Sequence, residues 1–229
     1  MAVIARANSP QGLACYQARH WEECQVIQLL IATNNPGKVR EYRELLADLA
    51  RVTFPQAEGL VLDVEETGET FEENAQLKAV AFAEASGLLT LADDSGLEVD
   101  ALGGAPGVRS ARYSGPGKSD ADRYEKLLAA MAHVPPGQRS ARFRCVVAVA
   151  VPGGAIYTAV GACEGQIGYA PRGEFGFGYD PVFIVDGFGG RTMAEIEPDA
   201  KNRISHRARA LEAVRPVLAR LLSAGARQK

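Results

Sequence analysis

The chain has 229 residues, a formal net charge of −3, 47% apolar residues and 23% charged residues. That length admits one large domain or two small ones with a sizeable core, and the composition is ordinary for a globular protein. Bulk charge gives no reason to expect nucleic-acid binding, no apolar run approaches the roughly 18 residues of a membrane span, and the N-terminus lacks the basic-then-apolar order of a secretory signal, so a cytoplasmic location is expected.

Residues 1–25 show no clear period and contain Asn8-Ser9-Pro10-Gln11-Gly12, so a poorly ordered extension is expected there, followed by one domain over 26–229. The run Val26–Ala32 is short enough for a buried strand. An amphipathic helix should follow, with Asn35 as N-cap, Pro36 at its first position and Val39, Tyr42, Leu45, Leu46 and Leu49 on one face. Thr70-Phe71-Glu72-Glu73 fits a capping box and announces a second helix, buried along Phe71, Ala75, Ala79 and Phe82, with Asn74 and Lys78 beside that stripe. The apolar run Leu88–Ala92 then breaks into Asp93-Asp94-Ser95-Gly96, which predicts a strand ending at two carboxylates.

A short helix is predicted over about Asp120–Met131, and strands over Arg142–Val151 and Ala155–Val160 joined through Pro152-Gly153-Gly154. Tyr179–Ile184 reads as a further strand. The last helix, from about Ser205 to Leu222, should be kinked or split at Pro216. Helices interleave with strands, so the predicted class is α/β with a mixed sheet.

Cys15, Cys24, Cys145 and Cys163 form no C-x-x-C pair, and His20, His133 and His206 are scattered, so neither thiol nor zinc chemistry is expected. Adjacent carboxylates repel unless a cation, a proton or a partner relieves them, and Mg²⁺ on one or two carboxylates usually accompanies a phosphate substrate. Taken alone, Asp93-Asp94 also fits a turn. Glu65 and Glu66 supply a second carboxylate source. Residues 61–100 hold eleven Asp or Glu against one Lys, and residues 201–229 hold eight Lys or Arg against one Glu. An acidic metal-holding region facing a basic phosphate-holding region would have this asymmetry, as would a solvated charged surface.

Thr33 to Lys38 joins a strand to a helix N-terminus, where free N–H groups and the dipole favour an anion, although a capped surface helix has the same pattern. His206 and Arg207, just after the cap Ser205, oppose the helix dipole, which suggests that they and Lys201 serve a ligand. In Phe175–Pro181 an aromatic could stack on a base, a contact worth about 1–3 kcal/mol, although Asp180 before Pro181 fits a turn packed with core aromatics equally well.

Together these segments resemble the inosine/xanthosine triphosphate pyrophosphatase family. The matching stretches are Thr33-Asn34-Asn35-Pro36-Gly37-Lys38, Glu65-Glu66-Thr67-Gly68, Thr70–Ala75, Ala92–Leu97, Leu102–Gly107, Ser110–Tyr113, Phe177–Pro181 and Ser205-His206-Arg207, in the family's order from Val26 to Leu222. The resemblance implies an elongated α/β domain around a long mixed sheet, with a nucleotide cleft between two lobes. It implies a homodimer, Mg²⁺ dependence and cleavage of dITP, ITP or XTP to the monophosphate and pyrophosphate. It also implies that Asp94 activates water and approaches the metal. Glu65 matches the other metal-binding carboxylate, with the adjacent Glu66 left open. Substrate contacts are implied for Thr33, Asn34, Asn35, Pro36, Gly37, Lys38, Ser95, Phe177, Gly178, Tyr179, Asp180, Lys201, His206 and Arg207.

Overall fold

The structure, a computed structural model, describes residues 28–225; the expected N-terminal extension lies outside the described residues. The elements run β1 (Gln28–Ile31), α1 (Pro36–Leu45), β2 (Arg51–Thr53), α2 (Phe71–Ser86), β3 (Leu89–Val99), α3 (Asp120–Ala130), β4 (Ser140–Ala150), β5 (Ile156–Ile167), β6 (Phe183–Val185), α4 (Pro198–Ile204) and α5 (His206–Gly225). The six strands form one mixed sheet in the order β2-β1-β3-β4-β5-β6.

The short strands lie at the two edges, and the long antiparallel ribbon β3-β4-β5 carries the centre. β1 pairs parallel with both neighbours, matching Leu29–Ile31 to Leu89–Leu91 of β3. β3 then continues alone on that side, while its other edge stays paired with β4 from Thr90↔Ala150 to Val99↔Ala141. The predicted end of β3 at Asp93 is therefore a correction: the two carboxylates sit in mid-strand. What ends there is the partner strand β1, and the site opens beside the length of β3 that β1 leaves uncovered.

Three apolar clusters hold the sheet. On one face α1 and α5 bury Tyr42, Leu46, Ala210, Leu211, Val214 and Leu218 against Leu29, Ile31, Leu91, Cys145 and Val147. On the opposite face α2 buries Phe71, Ala75, Ala79 and Phe82 against Leu30, Ala92, Val146 and Ala148. The third cluster lies at the far end, where Leu127 and Met131 meet Leu97, Phe143, Phe183 and Val185. Each Leu or Val buried this way contributes about 1.5–3 kcal/mol.

Helix starts follow local chemistry. The Asn35 side chain accepts from the Gly37 and Lys38 amides, and Thr70 and Glu73 form the reciprocal capping box. α5 is not split at Pro216. The carbonyl freed by the missing N–H belongs to Glu212, on the exposed side of the helix, where water can satisfy it. The expected strand over Tyr179–Ile184 is mostly something else: Asp180–Val182 forms a 3₁₀ turn and pairing begins only at Phe183. Pro181 has no amide to donate to a ladder, which fits the turn.

α5 reaches the site because β5 has a glycine beneath it. A Cβ on Gly161 would lie 2.2 Å from the His206 carbonyl oxygen and 2.3 Å from the Ala210 nitrogen. The first turn of α5 therefore rests directly on the sheet backbone.

Candidate active site

Where β1 stops, a cleft of about 360 Å³ opens, walled by the start of α1, the segment 62–66, mid-β3, the starts of α3 and α5, and the loop before β6. Its floor is Asp93-Asp94. Successive residues of a strand face opposite sides of the sheet, and these two carboxylates have separate surroundings.

Asp93 faces α1 and α5. Its Oδ2 lies 2.8 Å from Lys38 Nζ and 3.2 Å from Arg207 Nη2, and accepts from the Ser95 hydroxyl at 3.1 Å. Arg207 also donates through Nη1 to Glu41, and Glu41 lies 2.9 Å from Lys201 Nζ. Lys201 in turn is 2.6 Å from Asp180. The result is a row of alternating charge, Lys38–Asp93–Arg207–Glu41–Lys201–Asp180, in which all but Lys38 are buried. Isolated buried charges would be very costly, and the alternation is what makes the row tolerable. Burial pushes the Asp93 carboxyl up, but Lys38, Arg207 and Lys78 outweigh it and hold the group far below the usual carboxylate range.

Asp94 faces α2. Asn74 donates to its Oδ2 at 3.2 Å, and the Ser95 amide donates to its Oδ1 at 3.0 Å. Lys78 Nζ sits 3.8 Å from Asp94 and 2.6 Å from Glu66. Here burial wins over Lys78, with Glu66 and Asp93 adding to it, so the Asp94 carboxyl titrates above the ordinary aspartate value. One dipeptide thus holds a firmly ionised carboxylate on one face and a carboxyl that binds its proton more tightly on the other.

At the far end of the cleft, His206 stacks on Phe143 with ring centroids 4.8 Å apart and 15° between planes. Burial, with Arg207 and Lys201 adding to it, holds the imidazole neutral, well below its usual pKa. Among the described residues, His206 Nδ1, Arg207 Nε, Asp93 Oδ1 and the Tyr42 hydroxyl are buried polar atoms without a hydrogen-bond partner. The Phe177 ring has Lys201 Nζ 4.9 Å from its centroid.

Of the residues singled out in the sequence, Thr33, Asn34, Asn35, Lys38, Asp94, Ser95, Phe177, Gly178, Tyr179, Asp180, Lys201, His206 and Arg207 all line the cleft. Pro36 and Gly37 do not. Gly37 instead lies under Phe177, where a Cβ would meet the ring at 2.5 Å. Glu65 is exposed and outside the wall, whereas Glu66 is in it. The amides of Gly37 and Lys38 are already bonded to Asn35, so the α1 terminus offers an anion less free N–H than its sequence suggests. Glu41, Lys78, Asp120 and Arg123 were not expected at the site. The i,i+4 spacing of Lys78 from Asn74 was a usable signal for one of them, but nothing local marks Glu41.

No cluster of three or more His, Cys, Asp or Glu side chains is placed to hold a metal among the described residues. The donor set is two carboxylates, Asp94 and Glu66, already sharing one ammonium. That set fits Mg²⁺, which commonly takes one or two carboxylates and completes its shell with water and substrate phosphates.

A cleft with cations on one side, a carboxylate of raised pKa on its floor and an aromatic ring at its far end has the chemistry that a nucleotide ligand calls for. The Ham1 family model matches residues 29–217, and the chain belongs to that family. It is 50% identical over 192 residues to a Bacillus subtilis protein named dITP/XTP pyrophosphatase, covering 83% of this chain and 96% of the relative. A Desulforamulus reducens protein of the same name is 51% identical, covering 85% and 97%. The solved structure of a HAM1 protein from Coxiella burnetii is 44% identical with a TM-score of 0.76, covering 85% of this chain and 99% of that one.

Proposed function

We propose that this protein hydrolyses deaminated purine nucleoside triphosphates, dITP, ITP and XTP, to the monophosphate and pyrophosphate, and so removes them from the nucleotide pool. The observation that carries the reading is Asp94: a carboxylate with a raised pKa, beside the ammonium of Lys78 and across the strand from Lys38. Relatives named dITP/XTP pyrophosphatase that match almost their whole length support it.

Asp94 accepts a proton from the attacking water, and the Asn74 amide and the Ser95 N–H hold its carboxylate in place for that role. Lys38 and Lys78 place ammonium groups beside the phosphates, where negative charge develops during cleavage. Asp94 and Glu66 would hold Mg²⁺, which neutralises phosphate charge when bound. At the far end, Phe177 offers a stacking face. His206 and Arg207 line this end of the cleft, where their side chains would meet a base edge. A donor aimed at a 6-oxo group leaves the amino group of adenine mispaired, and such mismatches discriminate strongly. The family reading also brings a homodimer and a cytoplasmic location. No helix among the described residues is long and apolar enough to cross a membrane.

The test is pyrophosphate release from ITP, XTP, dITP, GTP and ATP, with and without Mg²⁺. Mg²⁺-dependent release from the first three alone is expected. Equal release from all five would remove the base-reading role of His206 and Arg207, and no release from any would overturn the assignment.

A further inference from the structure

The Phe177 ring is carried between two glycines, Gly176 and Gly178. Gly176 and Gly178 both have positive φ, at +80° and +65°, a region open chiefly to glycine and entropically costly to fix. Two carboxylates fix it. The Phe177 amide donates to Asp180 Oδ2 at 2.9 Å, inside the loop itself, and a Cβ on Gly176 would lie only 2.0 Å from that oxygen. The Gly178 amide donates to Asp120 Oδ2 at 2.7 Å, and Asp120 comes from across the cleft, 58 residues away in sequence.

Asp120 is itself held on two sides. It opens α3, whose first turn is set by the Ser119–Asp122 capping box. Its other oxygen accepts from Arg123 Nη1 at 2.8 Å, which leaves Oδ2 for Gly178. Arg123 also donates through Nε to the Ala111 carbonyl at 3.0 Å. A second strut runs parallel, with the Tyr179 hydroxyl donating to the Ser110 carbonyl at 2.9 Å. Ser110 Oγ accepts from the Leu97 amide at 2.9 Å, so this bracing ends on β3, the strand of Asp93 and Asp94.

We infer that Asp120 is a positioning residue for the base end of the cleft: through the Gly178 amide it fixes the Phe177 ring against Gly37. This rests on the nucleotide reading of the cleft. Asp120 bonds Gly178 and Arg123 rather than Lys38, Lys78 or Asp94, so its removal should loosen recognition of the base and spare recognition of pyrophosphate.

The experiment compares Asp120→Ala, Asp120→Ser and Asp120→Asn with the parent protein. Binding of inosine monophosphate and of pyrophosphate is measured by calorimetry, and KM and kcat are measured for ITP. Serine keeps a good helix-start residue but is too short to reach Gly178, so it reports the lost bond even where alanine destabilises α3. Asparagine keeps one acceptor oxygen, for which the Gly178 amide and Arg123 compete, and should restore binding in part. A lost hydrogen bond to a partly exposed carboxylate should weaken inosine monophosphate and raise KM by about 3- to 10-fold. Pyrophosphate affinity should be unchanged and kcat should stay within about twofold of the parent. Unchanged inosine monophosphate binding in the serine variant, equal weakening of both ligands, or an asparagine variant no better than serine would each overturn the inference. Absence of turnover in the parent protein would instead count against the hydrolytic function, because the two binding measurements do not depend on turnover.

Discussion

Asp93 and Asp94 are adjacent in sequence but lie on opposite faces of β3, one facing Lys38 and Arg207 and the other facing Asn74 and Lys78. The sheet separates the two charges and gives each its own counterions, so the pair needs no shared proton. Their carboxyls are displaced in opposite directions from the ordinary value.

Asp94→Asn should therefore retain nucleotide binding and lose about 10²- to 10⁴-fold in kcat, the usual contribution of a general base. In metal-free buffer the Asp94 carboxyl of the parent protein should titrate above the ordinary aspartate range, because burial outweighs Lys78. The same shift carries a sign for stability. The folded state holds the Asp94 proton more tightly than the unfolded state does, so stability in metal-free buffer falls as pH rises through the interval between the two values. Above that interval Asp94→Asn should melt higher than the parent. A variant with near-normal turnover would remove Asp94 from the mechanism.

Glu66→Gln and Glu65→Gln separate two neighbours that the sequence cannot. Glu66 shares Lys78 with Asp94, while Glu65 is exposed outside the wall. Titrating Mg²⁺ against activity should show a concentration requirement raised at least tenfold for Glu66→Gln and unchanged for Glu65→Gln. The reverse pattern would restore Glu65 as the metal-binding carboxylate.

Arg207→Ala strips one buried counterion from both Asp93 and Glu41. Breaking a buried ion pair by removing one partner costs about 3–5 kcal/mol, which urea denaturation would read directly. Arg207→Lys should recover only part of the loss, since one ammonium lacks the guanidinium fork that reaches both acids. A denaturation midpoint equal to that of the parent would show that the row contributes nothing to folding.

Gly37→Ala tests the contact between the two ends of the cleft. Helix position 37 tolerates alanine on propensity alone, but the added methyl would meet the Phe177 ring at 2.5 Å. KM should rise several-fold while thermal stability stays close to the parent. An unchanged KM would show that the ring yields without consequence.

The parts of this fold that were legible in the sequence are those set by neighbours along the chain. Asn35-Pro36 and Thr70-Glu73 start helices through contacts within four residues, and both starts appear where expected. The alternation within β3 was misread because a pair of charges in an apolar run looks like an ending. Partners far along the chain, chiefly Arg207, 114 residues away, and Lys38, 55 residues away, make Asp93 tolerable in mid-strand. Pro216 likewise looked disruptive because its effect depends on whether the freed carbonyl faces water. For the site, residue types were readable and pairings were not. Lys38, Lys201 and Arg207 were expected to face a ligand, and the structure shows each also engaged with a carboxylate.

That row of six charges has a consequence for how the cleft meets a ligand. Lys38 stands at one end and Asp180 at the other, and every inner member is shared between two opposite charges. A phosphate that competed with Asp93 for Lys38 would change the charge balance of every pair beyond it, as far as Lys201 beside Phe177. A whole nucleotide is therefore expected to bind differently from the sum of its base and phosphate fragments, which calorimetry of the three ligands would read.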